Sequence, residues 1–342
     1  MEFKVSLAFL LILFLVILIA DLLCSAAAAL FGRSFSRVFL YGLFGLLIPL
    51  FLFGWGYFVG RNRYSINKIK IVSERVPSGF EGYKIVQISD IHLRSFAHRK
   101  RQLAKIVAAV DSLKPDVIMF TGDLVTADSR EIRGFEKILS SLHAPEGVIS
   151  ILGNHDYCFY GKFASEEDRL ESLSNVINSE RRMGFRLLLN ENYSILRGED
   201  SISVIGVENI SASRYFKSYG DLRKAMKGTA DGFKILLTHD PSHWDNEVAG
   251  NYDIDLTLSG HTHAMQFSLF GWCPSRYIFK SYRGLYKYPV GKANAADGGI
   301  LQYLYVNIGL GETALPIRVG TPPEITLITL SSSESGQTVL PG

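Results

Sequence analysis

Two almost unbroken apolar runs open the chain, VSLAFLLILFLVILIADLLCSAAAALF (5–31) and VFLYGLFGLLIPLFLFGWGYFVG (38–60). A helix needs roughly 20 apolar residues to cross a bilayer, and both runs exceed that. The short connector GRSFSR makes them a helical hairpin with both outer ends on one side. The second run carries no charge and ends in Trp55, Tyr57 and Phe58, an aromatic belt of the kind that sits at the membrane–water interface. Pro49 within it predicts a kink. A cleaved signal peptide suits the first run less well, because MEFK is weakly basic and the apolar stretch is long. Asp21, near the end of that run, is expected to reach the interface or a partner helix.

Residues 65–81 read as a linker, and from about residue 82 the pattern changes to short apolar runs separated by amphipathic stretches. YKIVQIS (83–89), DVIMF (116–120) and GVISIL (147–152) predict buried strands. Between and after them, HRKRQLAKIVAAVDSLK (98–114), REIRGFEKILSSL (130–142) and SEEDRLESLSNVINSERRMG (165–184) carry apolar residues at helical spacing. The second half holds more strands: SISVIGVE (201–208), FKILLTH (233–239), DIDLTLSG (253–260), LQYLYVNIG (301–309) and EITLITL (324–330). Alternating strands and helices argue for an α/β domain over 82–330. Two packed sheets flanked by helices accommodate the strand count. SSSESGQTVLPG (331–342) reads as a disordered tail.

Composition narrows the picture a little. With 47% hydrophobic residues the chain can fill a core as well as a membrane segment. A net charge of +3 is too small to imply a nucleic-acid partner. The three cysteines form no CxxC pair, so neither a disulfide framework nor a thiolate zinc site is indicated. The hairpin connector holds Arg33 and Arg37, whereas the outer flanks hold Lys4, Arg61, Arg63, Lys68 and Lys70. That asymmetry places the rest of the chain on the cytoplasmic side of the inner membrane.

The chemistry gathers at strand ends. The first strand runs into SDIH (Asp90, His92), the second into TGD (Asp123) and the third into GNHD (Asn154, His155, Asp156). Two later strands end in LTHD (His239) and SGHTH (His261, His263). Taken singly, an aspartate or histidine after a strand is a helix cap or turn residue. Taken together, five of the eight histidines fall where loops of an open α/β sheet converge on one crevice. Carboxylate, carboxamide and imidazole without thiolate suit manganese, iron or zinc. Two such ions about 3.5–4 Å apart neutralise a phosphoester's oxygens and activate a bridging water, and a carboxylate such as Asp123 is suited to bridge them.

In that order, DxH, GD, GNHD, H and GHTH resemble the motifs of the calcineurin-like metallophosphoesterase family, over about residues 82 to 330. Among its members the chain is most similar to membrane-attached bacterial phosphoesterases. The resemblance implies a four-layer αββα sandwich behind a transmembrane helical hairpin, with two divalent metal ions. It assigns Asp90, His92, Asp123 and His263 to one ion, and Asp123, Asn154, His239 and His261 to the other. His261 and His263, two apart on an extended chain, then point the same way and serve different ions. His155 is implied beside the scissile bond as proton donor, with Asp156 orienting its ring. Where many relatives follow GHTH with two glycines, this chain has Ala264 and Met265.

The implied activity is hydrolysis of a phosphodiester or pyrophosphate by a metal-bridging hydroxide. A hydrophobic anchor beside such a site points to lipid-linked substrates, a UDP-diacylglucosamine-type pyrophosphate or a phospholipid, with the bilayer itself as a partner. Protein phosphatase activity and a non-catalytic scaffold on the same fold are the rival readings. Two basic or aromatic segments stand apart from the motifs. LRSFAHRKR (93–101) reads as a solvated helix start or a patch facing phosphate or membrane. RYIFKSYRGLYKY (276–288) reads as a substrate rim, a surface resting on headgroups, or core tyrosines. Cys158 reads as a small buried residue.

Overall fold

The computed structural model describes residues 2–213, 215–290 and 300–333. Three helices form the N-terminal part: α1 (Glu2–Leu30), α2 (Phe35–Leu43) and α3 (Leu47–Phe58). Pro49 has no N–H to give the carbonyl four residues earlier, and the second run tightens into a 3₁₀ turn at Phe44–Leu46. Both apolar stretches, Leu11–Leu30 and Phe35–Asn62, are long enough to cross a membrane. Asp21 faces α2 so closely that a Cβ on Gly42 would lie 1.7 Å from its Oδ1. The carboxylate therefore meets its partner helix.

The rest of the described chain is built on two six-stranded sheets. Its strands are β1 (Ser65–Val72), β2 (Lys84–Ile88), β3 (Val117–Phe120), β4 (Val148–Ser150), β5 (Phe185–Leu187) and β6 (Glu191–Arg197), then β7 (Asp200–Gly206), β8 (Lys234–Leu237), β9 (Leu256–Ser259), β10 (Gly284–Val290), β11 (Ile300–Val306) and β12 (Glu324–Ser331). Its helices are α4 (Lys100–Ser112), α5 (Glu136–Leu139), α6 (Glu166–Arg182) and α7 (Leu222–Ala225). The first sheet runs β1-β12-β2-β3-β4-β5 and the second β10-β11-β9-β8-β7-β6.

Strand alternation explains the layering. Ile85, Val117, Met119 and Ile149 turn inward and pack against Val204, Ile235, Leu237 and Leu258 of the other sheet. Their neighbours Val86, Ile88, Ile118 and Phe120 turn outward onto Leu103, Ile106 and Val110 of α4 and Val176 of α6. On the far side, Ile205, Leu236 and Leu304 pack against Leu222, Trp244 and Val248. The order helix, sheet, sheet, helix is the expected four-layer sandwich. Parallel strands β2, β3 and β4, and likewise β8 and β9, end on one side of the molecule.

Several expectations are corrected. The stretch 65–81 is not a free linker. Its first half is β1, paired in parallel with β12, with Ile71 in the core and Lys68 on the exposed face of an edge strand. The helix expected over 130–142 is broken at Gly134 (φ 79°) into a 3₁₀ turn at Ser129–Ile132 and the single turn α5. Strands β5, β6 and β10 went unread because they are short, polar or, at Pro289, interrupted. Of the tail expected over 331–342, Ser331 closes β12 and the Ser332 amide donates to Glu81 at 2.7 Å. Residues 334–342 lie outside the described residues.

Candidate metal centre

The motif residues meet at the common end of the strands. His263 Nε2 lies 3.2 Å from Asp90 Oδ1 and 3.1 Å from His92 Nε2. His92 Nε2 lies 3.5 Å from Asp123 Oδ2, and His239 Nε2 lies 3.1 Å from the same oxygen. His261 Nδ1 is 2.8 Å from Asn154 Oδ1, and the His261 amide donates to Asp90. Three overlapping groups could each hold a cation: Asp90, His92 and His263; His92, Asp123 and His155; Asp90, Asp123 and His239. Asp123 thus stands between the two sides of the cluster.

The backbone bends sharply to achieve this. Asp90, His92, Asp123, His261 and His263 all have φ between 45° and 74°, the left-handed region that L side chains rarely adopt. The extended geometry expected for His261–Thr262–His263 is therefore corrected. Two left-handed residues, rather than strand alternation, turn both rings inward. Gly260 is obligatory here, since a Cβ would lie 1.9 Å from Ser89 Oγ and 2.3 Å from Asp90 Oδ2. Strain of this kind persists where surrounding structure or a ligand compensates for it.

The electrostatics fit a divalent cation. Asp90, His92, Asp123 and His239 are buried. Burial opposes the charge on Asp123, but His239, His155 and His92 hold its carboxyl well below the usual carboxylate range. Burial likewise opposes the charge on His239, yet Asp123 pushes its pKa up to about 10. His239 Nδ1 donates to the Thr121 carbonyl at 2.7 Å, which fixes the tautomer and turns Nε2 to the carboxylate. The buried Asp123 carboxylate thus favours positive charge beside it, a condition that a divalent cation would meet. Burial drives the His92 pKa well below its usual value, so this ring is neutral and presents a lone pair.

Asp156 differs from expectation. Its carboxylate accepts from the amides of Asp123 (2.8 Å), Val125 (3.1 Å) and Gly153 (2.9 Å). Burial and the Asp123 charge raise its pKa to about 7. The His155 ring is instead oriented by the Thr126 carbonyl, 2.7 Å from Nδ1, and by the Tyr160 ring, tilted by 31° with centroids 4.2 Å apart. Asp156 shapes the loops that carry the cluster and does not touch the imidazole that it was expected to orient.

The sequence pattern defining the calcineurin-like phosphoesterases matches residues 83–265, more than half of the chain. The chain belongs to that family. This phosphoesterase is 30% identical to the metallophosphoesterase YkuE of Bacillus subtilis, over 87% of this chain and 98% of that protein. It is 29% identical to a transmembrane protein with metallophosphoesterase domain from Danio rerio, over 90% of this chain and 66% of that one. It is also 27% identical to the UDP-2,3-diacylglucosamine pyrophosphatase LpxG of Chlamydia trachomatis, over 83% and 94% respectively. The phosphoesterase is thus a hydrolase of phosphoester bonds, and its two apolar N-terminal helices suggest membrane association.

Several residues around the phosphoesterase's cluster carry no motif. Arg318, fully buried, places Nη2 3.3 Å from His263 Nδ1 and donates to the carbonyls of Ile308 and Thr321. Asp240 lies 3.7 Å from His261 Nε2, and its place beside His239 in LTHD was the one available signal. Tyr160, over the His155 ring, accepts a hydrogen bond on its hydroxyl from Asn154 Nδ2 at 3.1 Å. Phe216 and Phe279 meet the His261 ring edge-on at 5.0 and 5.7 Å. A cavity of about 180 Å³ opens beside Asn154, walled by Tyr157, Phe159, Tyr160, Phe216 and Lys217. The basic segment 93–101 is not a free patch: Arg94 pairs with Glu131 at 2.8 Å and Arg99 with Glu312 at 2.9 Å. Cys158 is buried, and burial lifts its thiol to about 11, so it is inert.

Proposed function

We propose that this phosphoesterase is a membrane-anchored, dinuclear-metal phosphodiesterase or pyrophosphatase acting on lipid-linked phosphates. The observation that carries the reading is the position of Asp123, within 3.5 Å of His92 on one side and 3.1 Å of His239 on the other. Asp90, His92 and His263 would hold one ion with Asp123. His239, His261 and Asn154 would hold the second. The residues present fit such a pair: the donors are oxygen and imidazole nitrogen, buried and convergent. Two divalent ions supply the positive charge that a phosphoester's oxygens require and activate the attacking water.

The chain's own residues do the rest. His155, with Nδ1–H tied to the Thr126 carbonyl, leaves Nε2 for the substrate, and in its doubly protonated form it would give the Nε2 proton to the departing oxygen and be left neutral. Asp156, by gathering three backbone amides, holds the Asp123 and Asn154 loops in register. Lys217 on the cavity wall offers a cation to a substrate phosphate. The apolar hairpin is read as spanning the inner membrane twice, with the hydrolytic domain cytoplasmic by its flanking positive residues.

The substrate reading draws on the pyrophosphatase named among the relatives, which shares nearly its whole length with this chain. A tethered site meets membrane-borne substrate at high effective concentration. The test is full-length protein reconstituted with manganese and offered phosphomonoesters, soluble diesters, phospholipid and UDP-diacylglucosamine. Hydrolysis of a lipid-linked phosphate at the highest kcat/KM is expected. Turnover of soluble diesters with none of the lipid substrates would overturn the substrate class.

A further inference from the structure

The reading of a spanning hairpin leaves unexplained an apolar loop that lies beyond the metal centre. We propose that residues 267–280 form a second membrane contact, resting in the headgroup layer of the bilayer that holds the hairpin, so that the mouth of the site opens at the membrane surface.

Placement comes first. The end of α3 seats on the segment Ile317–Val319: the Arg318 amide donates to the Gly56 carbonyl at 3.3 Å. A Cβ on Gly60 would fall 1.8 Å from the Arg318 carbonyl oxygen. The other side of the same segment pairs with the chain leaving the GHTH motif. The Val319 amide donates to Gln266 at 2.9 Å and the Ser268 amide to Val319 at 2.7 Å. The loop therefore departs about 5 Å, one strand spacing, from the segment that touches the helix. It does so level with Trp55, Tyr57 and Phe58, the residues that mark the interface.

The loop's own chemistry comes next. Leu269 and Trp272 exchange both backbone hydrogen bonds at 2.9 Å around Phe270 (φ 48°) and Gly271 (φ 80°). A two-residue turn with both φ positive favours asparagine, aspartate or glycine at its first position. This chain puts there a phenylalanine that is 100% exposed. Neither backbone conformation nor hydration favours that choice in water. Tyr277, Ile278 and Trp272 are also exposed, with Arg276 and Lys280 between and beside them. Apolar tips, amphipathic aromatics and cations together match an anionic headgroup layer.

The loop then returns to the site. Phe279 meets the His261 ring, and Thr262 Oγ1 donates to the Tyr282 carbonyl at 2.6 Å. A lipid-borne phosphate thus has a short path from the headgroup layer to the cluster.

The test uses full-length protein in vesicles of phosphatidylcholine and phosphatidylglycerol. A bimane label is placed on Phe270→Cys in a chain carrying Cys24→Ser, since Cys158 and Cys273 are buried. A control label goes on Leu196→Cys, exposed on β6 at the opposite edge of the sheet from β10. Nitroxide lipids should quench the label at 270 at least about three-fold more than the label at 196. Equal quenching at both sites overturns the proposal, as does a 270 label shielded from aqueous iodide yet untouched by lipid quencher, the sign of a second copy on this surface. Ile278→Cys reads the same surface if the Phe270 variant fails to fold. Bimane on the native Cys24 of α1 reports the hairpin separately. Quenching there with none at 270 sinks this inference alone, and quenching at neither site sinks the membrane reading with it. No turnover is needed, so the substrate reading stands or falls independently.

Discussion

The floor of the cleft and its rim are held in different ways. On the floor, Asp90, His92, Asp123 and His239 are buried, fixed by backbone hydrogen bonds, and in three of the four cases forced into left-handed φ. On the rim, Phe216, Phe279 and Tyr160 are placed by ring contacts at 4.2–5.7 Å and stand on loops. A left-handed residue other than glycine costs about 1–2 kcal/mol. At the floor the fold bears that cost at the positions where several donors must meet at fixed distances. The rim carries no such demand, so it is free to vary with whatever is bound. On the proposed reading, chemistry belongs to the floor and choice of substrate to the rim.

The largest effect should come from the floor's centre. Asp123→Asn removes the shared carboxylate, and the account predicts a fall in activity on the order of 10⁴-fold. Metal analysis of the purified variant should show the loss of bound ion in parallel. His155→Ala sits at the junction of floor and rim. It should lower kcat by about 10²–10⁴-fold, and unchanged metal content would separate proton transfer from metal holding.

Asp156→Asn sharpens the correction made by the structure. With its three amide partners disturbed, metal affinity should drop by about 10–100-fold, the range for groups that position ligands. The pH profile of the residual activity should keep its shape, because Asp156 does not touch the His155 ring. A profile displaced as in a His155 variant would restore the orienting role.

The smallest effect lies beneath the floor. Glu180 on α6 is fully buried and bonded to Ser150 at 2.5 Å, and burial, reinforced by Asp156, raises its pKa well above the usual range. A raised carboxyl means that the folded state keeps a proton which the unfolded chain releases. Its contribution is complete below the unfolded value and diminishes as pH rises beyond it toward the folded one. Glu180→Gln retains the neutral partner for Ser150. Denaturant midpoints measured from pH 5 to pH 8 should therefore fall less steeply in the variant than in the natural chain. Equal slopes would show that Glu180 is not protonated in the fold.

Much of the floor was legible in the sequence, and the reason is physical. Metal-binding side chains need a fixed order of short motifs at strand ends, and each motif directly follows a readable apolar run. DIH, GD, GNHD and GHTH therefore announced both the sheet and the cluster. Arg318 escaped notice because a lone arginine in LPIRV has no periodicity and meets His263 only through tertiary packing. The role of Asp156 was misjudged for a related reason. Sequence adjacency to His155 suggested a side-chain pair, whereas its carboxylate turns toward backbone amides. Strands β1, β6 and β10 were obscure because edge strands may be polar on both faces or hold proline without loss of pairing.

Anomalous diffraction from crystals of the manganese-loaded chain tests the central claim most directly. The account predicts two peaks about 3.5–4 Å apart on either side of the Asp123 carboxylate, one within reach of His92 and His263, the other within reach of His239 and His261. A single peak, or a pair that leaves Asp123 uncoordinated, would contradict it.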